Sequence, residues 1–270
     1  MSFASFGTCD IEEFIQSESA PDRLWIFVHI PKTAGSSFAT ELSQKRRPYR
    51  NIHVDYSDTA TPHRVKMQMA VAQFVSDFQT TAFKSCSGHM NMPDVLSIKN
   101  AVPSARTITF LRHPVARVIS DFRYARTPAH PPHREFIAEF PTIESYIESS
   151  SSQNKMCKFL SPQRDMNISE LIDYLDSTMS FIGLVEMYPM CFNIIFRLVG
   201  LNEFPKIRRN KTNTTEDNLV VESPALMARI RETNTGDIAL YKFVRARLVN
   251  RRAEWVALRK SQRSTSINRE

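Results

Sequence analysis

The chain has 270 residues, 42% of them hydrophobic and 23% charged, which suits a globular protein with a real core and excludes repeat, collagen-like and low-complexity classes. Its 35 basic against 28 acidic residues leave +7, a charge that favours anionic partners without choosing among nucleotides, glycans, nucleic acid and membrane surfaces. Four scattered cysteines make no C-x-x-C or zinc spacing, and no run reaches the roughly 18 apolar residues of a membrane span, so reduced thiols and a cytoplasmic setting are expected.

Residues 1–22 lack the pattern of a signal peptide and read as a poorly ordered lead-in, which leaves 23–270 as one domain. Residues 24–30 are a continuous apolar run, as in a strand covered on both faces. The segment HIPKTAGSSF, residues 29–38, follows it and misses the G-x-x-x-x-G-K-[ST] spacing of a phosphate loop. Even so, strand, short polar loop and helix is the order that aims backbone N–H groups at an anion. Lys32 then stands at the carboxyl edge of a sheet. Thr33, Ser36 and Ser37 add hydroxyls, and Gly35, next to Ala34, allows close backbone approach. A capped helix beside a solvated lysine fits the same residues.

Helical spacing covers residues 64–79, and the piece Ser85-Cys86-Ser87-Gly88-His89-Met90 reads as turn-rich. Another helix precedes Pro103, and residues 107–111 form a second buried strand. Arg112 follows that strand, and Pro114 opens a helix through Val118, Ile119 and Phe122. The proline step keeps Arg112 extended and off the helix, while Ser120 lies two turns in. An arginine fork and a hydroxyl so placed can hold a second phosphate, although a surface ion pair and an ordinary helical serine read as well. Residues 127–141 form a proline- and histidine-rich excursion of the kind that covers substrates. Residues 181–185 are a third buried strand, and 207–218 a polar basic loop. From Pro224 onward Leu240, Phe243, Val244, Leu248 and Trp255 make a helical apolar stripe. Apolar strands alternating with helices predict a parallel α/β sheet.

Together PKTAGSS and LRHPVARVIS resemble the sulfotransferases that use 3′-phosphoadenosine 5′-phosphosulfate (PAPS), in the branch of the heparan-type uronosyl 2-O-sulfotransferases and their bacterial relatives. Ser87-Gly88-His89, FIGLVEMY and RRNKT extend the resemblance from about residue 23 to the C-terminal helix. It implies a P-loop-like three-layer α/β/α sandwich with a central parallel sheet. It also implies that Lys32, Thr33, Ala34, Gly35, Ser36 and Ser37 hold the 5′-phosphosulfate, and that Arg112 and Ser120 hold the 3′-phosphate. Arg209, Asn210, Lys211 and Thr212, with Arg208, would fold over the nucleotide, where a disordered basic loop is the equal alternative. Lys32 would neutralise the departing 5′-phosphate and His89 would act as base, with His29 its rival.

The implied co-substrate is PAPS, with no metal. The implied partner is a hydroxyl-bearing acceptor, a glycan or glycoconjugate, with no nucleic acid and no membrane span. Residues 154–160 fall where relatives approach the acceptor, and Cys157 there reads as packing. Three positions depart from the family pattern: His29 replaces an arginine, Ser87 a histidine and His113 an aspartate. The first two touch the acceptor side and put heparan-like substrates in doubt, whereas the third concerns the helix start. A Mg²⁺-dependent nucleotide kinase is the rival enzyme, for which no ligand set is evident. A basic glycan- or nucleic-acid-binding module is the rival without chemistry, and it predicts steep salt dependence.

Overall fold

The computed structural model describes residues 2–58, 60–130, 132–207 and 214–267, the last seven of these by backbone alone. Strands β1 (Trp25–Val28), β2 (Tyr49–Ile52), β3 (Ser85–Gly88), β4 (Arg106–Leu111) and β5 (Phe181–Leu184) form one parallel sheet in the order β2-β3-β1-β4-β5. The helices before and between them are α1 (Phe3–Phe6), α2 (Ile11–Glu18), α3 (Gly35–Lys45), α4 (His63–Phe78), α5 (Met92–Ala101), α6 (Pro114–Ala125), α7 (His133–Glu139), α8 (Ile143–Glu148), α9 (Lys155–Leu160) and α10 (Ile168–Thr178). After β5 come α11 (Tyr188–Leu198), α12 (Pro224–Thr233) and α13 (Thr235–Ile267).

The chain leaves β1 through α3, passes β3 to reach β2, and returns through α4. Right-handed crossovers running in opposite directions put α3 and α4 on opposite faces. On the α3 face the Phe38 ring lies 4.6 Å from Phe27, 5.1 Å from Phe110 and 5.8 Å from Phe192 of α11. On the other face α4 packs along α5. This is the three-layer α/β/α arrangement expected from the sequence. Val28 sits level with Gly88 and Thr109, so β1, β3 and β4 open on one edge. The outgoing connections of β1 and β4 take opposite faces, which opens a crevice at that edge.

Two sequence expectations need correction. Residues 2–22 are not a loose lead-in: α1 and α2 bury Phe3, Phe6 and Phe14 against Phe181. The turn-rich reading of residues 85–88 also fails, since they are β3, fully buried between β1 and β2. Small side chains suit a strand so crowded. The hydroxyls that look turn-like are used inside the fold: Ser85 Oγ donates to the Arg46 carbonyl, and Ser87 Oγ lies 2.6 Å from Tyr49 Oη.

Candidate active site

The loop after β1 is built by backbone. Lys32 and Ala34 both take left-handed conformations, with φ of 68° and 61°. Thr33 lies between them, buried, and its hydroxyl donates to the Ile30 carbonyl at 2.9 Å. That alternation curls N–H groups inward as an anion-binding nest, while the Thr33 hydroxyl holds the loop. Ala34 is the N-cap of α3 and offers no side-chain cap, so the positive end of the helix faces the crevice. Gly35 is required by contact: a Cβ there would stand 1.8 Å from Cδ2 of His29. Ser36 is half-buried at the first turn and Ser37 is buried.

Lys32 Nζ rests 3.9 Å from the centroid of the Tyr124 ring. Burial lowers its pKa, Asp121 opposes that shift, and the nearby Arg112 cation adds to it. Arg112, at the end of β4, donates from Nη1 to the Lys32 carbonyl at 3.3 Å. The two phosphate candidates from separate motifs therefore meet. Among the described residues neither cation has a carboxylate ion pair. Half-buried cations left in this state fit an anionic nucleotide group. Ser120 is half-buried on α6, eight positions beyond Arg112. The His113 backbone N–H, at the N-cap of α6, donates to Glu186 Oε1 at 2.8 Å.

His89 follows β3, and its Nδ1 lies 2.7 Å from the His29 carbonyl oxygen. A carbonyl only accepts, so Nδ1 carries the proton and Nε2 keeps its lone pair. The two imidazoles lie 4.2 Å apart. One edge of His89 is exposed, yet crowding around the ring lowers its pKa, against an opposing contribution from the His29 carbonyl. His29 is driven well below its ordinary value by burial, then by His89 and Lys32. This leaves a neutral imidazole whose basic nitrogen makes no hydrogen bond among the described residues.

The sequence matches the model of the Sulfotransferase family over residues 19–244. The chain belongs to that family. It is an enzyme of that class. Among solved structures it is similar to mouse sulfotransferase SULT7A1 complexed with PAP, at 10% identity and a TM-score of 0.48, covering 91% of this chain and 94% of that one. No curated protein matches the chain.

Several residues of this sulfotransferase site carry no motif. A cavity of about 300 Å³ opens beside His29 and His89, walled by the end of β2, the segment after it and the first turns of α3. Lys155 Nζ, at the start of α9, lies 2.6 Å from Asp121 Oδ2 on α6, and the same oxygen accepts from Tyr146 Oη and Arg117 Nη1. Only the expectation that residues 154–160 approach the acceptor pointed toward Lys155. The Cys157 thiol is pushed up by burial and by Asp237, which leaves it a poor nucleophile, as expected. Arg208, Arg209, Asn210, Lys211 and Thr212 lie outside the described residues. Among the described residues no group of three potential ligands could hold a metal ion, and no helix is long and apolar enough to cross a membrane.

Proposed function

We propose that this enzyme, a sulfotransferase dependent on PAPS, holds its donor between the Lys32–Ser37 loop and Arg112, and uses His89 as the base that activates an acceptor hydroxyl. Lys32 meets the charge that develops on the departing 5′-phosphate. Nε2 of His89 takes the acceptor proton, and the Nδ1–H bond to His29 steadies the imidazolium that results. Ser120 is the companion of Arg112 at the 3′-phosphate, and residues 209–212 are the cover over the nucleotide. The observation that carries the reading is the convergence of two cations without a carboxylate ion pair among the described residues and one tautomer-fixed histidine at a single sheet edge. The carbohydrate acceptor read from the sequence is supported by the hydroxyl and amide groups of Ser36, Thr40, Ser43 and Asn51 beside His89. Four unpaired thiols, two of them buried, support the cytoplasmic setting.

The test is thermal. 3′,5′-Adenosine bisphosphate binds the native state and raises its melting temperature, with or without a chelator. 5′-Adenylate, lacking the second phosphate, gives a smaller shift. Arg112→Ala removes a charge-assisted contact of about 1.5–3 kcal/mol and brings the two nucleotides together. A shift that needs Mg²⁺ and ATP, or an Arg112→Ala protein that keeps the full preference, overturns the reading.

A further inference from the structure

The cavity beside His89 differs from the donor side in its charge. Its wall includes Ile52, Val54, Tyr56 and Met67, with Ser36 and Asn51 among its polar members. Among the described residues it contains no lysine, arginine, aspartate or glutamate. Of the cations near it along the chain, Arg50 pairs with Asp77 at 2.8 Å, Lys66 donates to the Asp55 and Asp58 carbonyls, and Arg47 donates to the carbonyl of the wall residue Ser43. Across the crevice, by contrast, Lys32 and Arg112 lack carboxylate partners among the described residues. Among the described residues, the cations thus stand on the side where an anionic donor would lie, and none lines this cavity.

The wall also has an apolar side. Met67, Ile52 and Val54 are buried, and Tyr56 stands at the rim 55% exposed. A tyrosine ring left open at a cavity mouth offers a face to a sugar or aryl ring. The volume, about 300 Å³, is at the small end of ligand pockets and suits one or two rings.

We propose that this cavity is the acceptor site and that it takes an uncharged hydroxyl compound with an apolar flank, of the class of aryl or alkyl glycosides of neutral sugars, and selects against uronic-acid glycans. The inference rests on the proposed role of His89. With the hydroxyl at Nε2, the acceptor oxygen bonds to sulfur as the bond from sulfur to the 5′-phosphate oxygen breaks. The proton passes to Nε2, and the bisphosphate leaves with the electron pair. A carboxylate in this cavity would lose hydration without meeting a cation, which costs more than a lost neutral contact. The wall hydroxyls and the Asn51 amide meet neutral hydroxyls instead.

The experiment uses a matched pair, phenyl β-D-glucoside and phenyl β-D-glucuronide, which differ by a carboxylate in place of a hydroxymethyl group. Each is titrated calorimetrically into the full chain saturated with 3′,5′-adenosine bisphosphate. The glucoside binds at least about tenfold more tightly, equivalent to 1.4 kcal/mol. Asn51→Arg, at an exposed wall position that does not endanger folding, narrows or inverts that ratio. Equal or tighter binding of the glucuronide by the parent chain overturns the proposal, as does failure of both glycosides to bind at millimolar concentration. The donor reading fails separately, by loss of bisphosphate binding, and titration of the nucleotide-free chain then still reads the cavity.

Discussion

The proton affinity of His89 is set by two opposed effects. Crowding disfavours the imidazolium, while the His29 carbonyl favours it, and the first is larger. The base form therefore persists as pH falls through the ordinary value of 6.5, and kcat/KM declines only at a lower pH, where Nε2 becomes protonated. A pH–rate profile on an active acceptor checks this, and a decline already centred above 6.5 contradicts it. His89→Ala lowers turnover about 10²–10⁴-fold, the range for positioned proton transfer, and leaves bisphosphate affinity nearly intact. Lys32→Ala weakens donor binding as well as rate. Measured side by side with melting temperatures, the pair separates chemistry from binding. Full activity of His89→Ala moves the base to another residue, and His29, half-buried and driven further toward neutrality, is the next to test.

Element boundaries decide how these residues meet, and Gly35 at the start of α3 shows the forces in conflict. Helix propensity alone makes Gly35→Ala stabilising by roughly 0.5–1 kcal/mol. The new Cβ, however, falls 1.8 Å from the His29 ring, and overpacking of that kind costs about 1–3 kcal/mol. Gly35→Ala therefore lowers the melting temperature, and His29→Ala in the same chain restores most of the loss by vacating the space. Failure of the double variant to recover shows that His29 is not the obstacle. None of this contact was visible in sequence, although the loop and helix were. Residues 24–30, 107–111 and 181–185 announced β1, β4 and β5 because these strands are buried on both faces, β5 included although it ends the sheet. β2 is an edge strand with a mostly exposed YRNI, and β3 is a strand of small polar residues, so neither shows the apolar pattern. Lys32 and Arg112 were legible because each follows an apolar run read as a strand, whereas His89 follows β3, which was not, and stood out only through the family resemblance. The cavity wall was not, because it is assembled from β2 and segments whose placement depends on it.

At the scale of the molecule the apolar interior divides in two. A large cluster surrounds the sheet, and a smaller one joins α6, α8 and α12 through Val118, Phe122, Tyr146 and Ile230. Arg117 of α6, fully buried, lies in the polar seam between them. It pairs with Asp121 at 3.0 Å, donates to the Ser152 carbonyl at 2.7 Å, and approaches Asp237 of α13 at 3.9 Å. Asp237 in turn accepts from the backbone N–H groups of Met156 and Cys157 at the start of α9. One guanidinium thus ties α6 to α13 and to the segment before α9. Removing one partner of a buried ion pair leaves the other charged and dry, which costs about 3–5 kcal/mol. Arg117→Met keeps the bulk and loses the charge, so urea denaturation should show a loss in that range with an unchanged slope. Arg229, exposed and paired with Glu148, is the control, and Arg229→Ala should change stability little despite its two short contacts. A stability change no larger than that of Arg229→Ala would mean that Lys155 and Tyr146 neutralise Asp121 unaided, and that the apolar contacts of α12 and α13 hold the two clusters together.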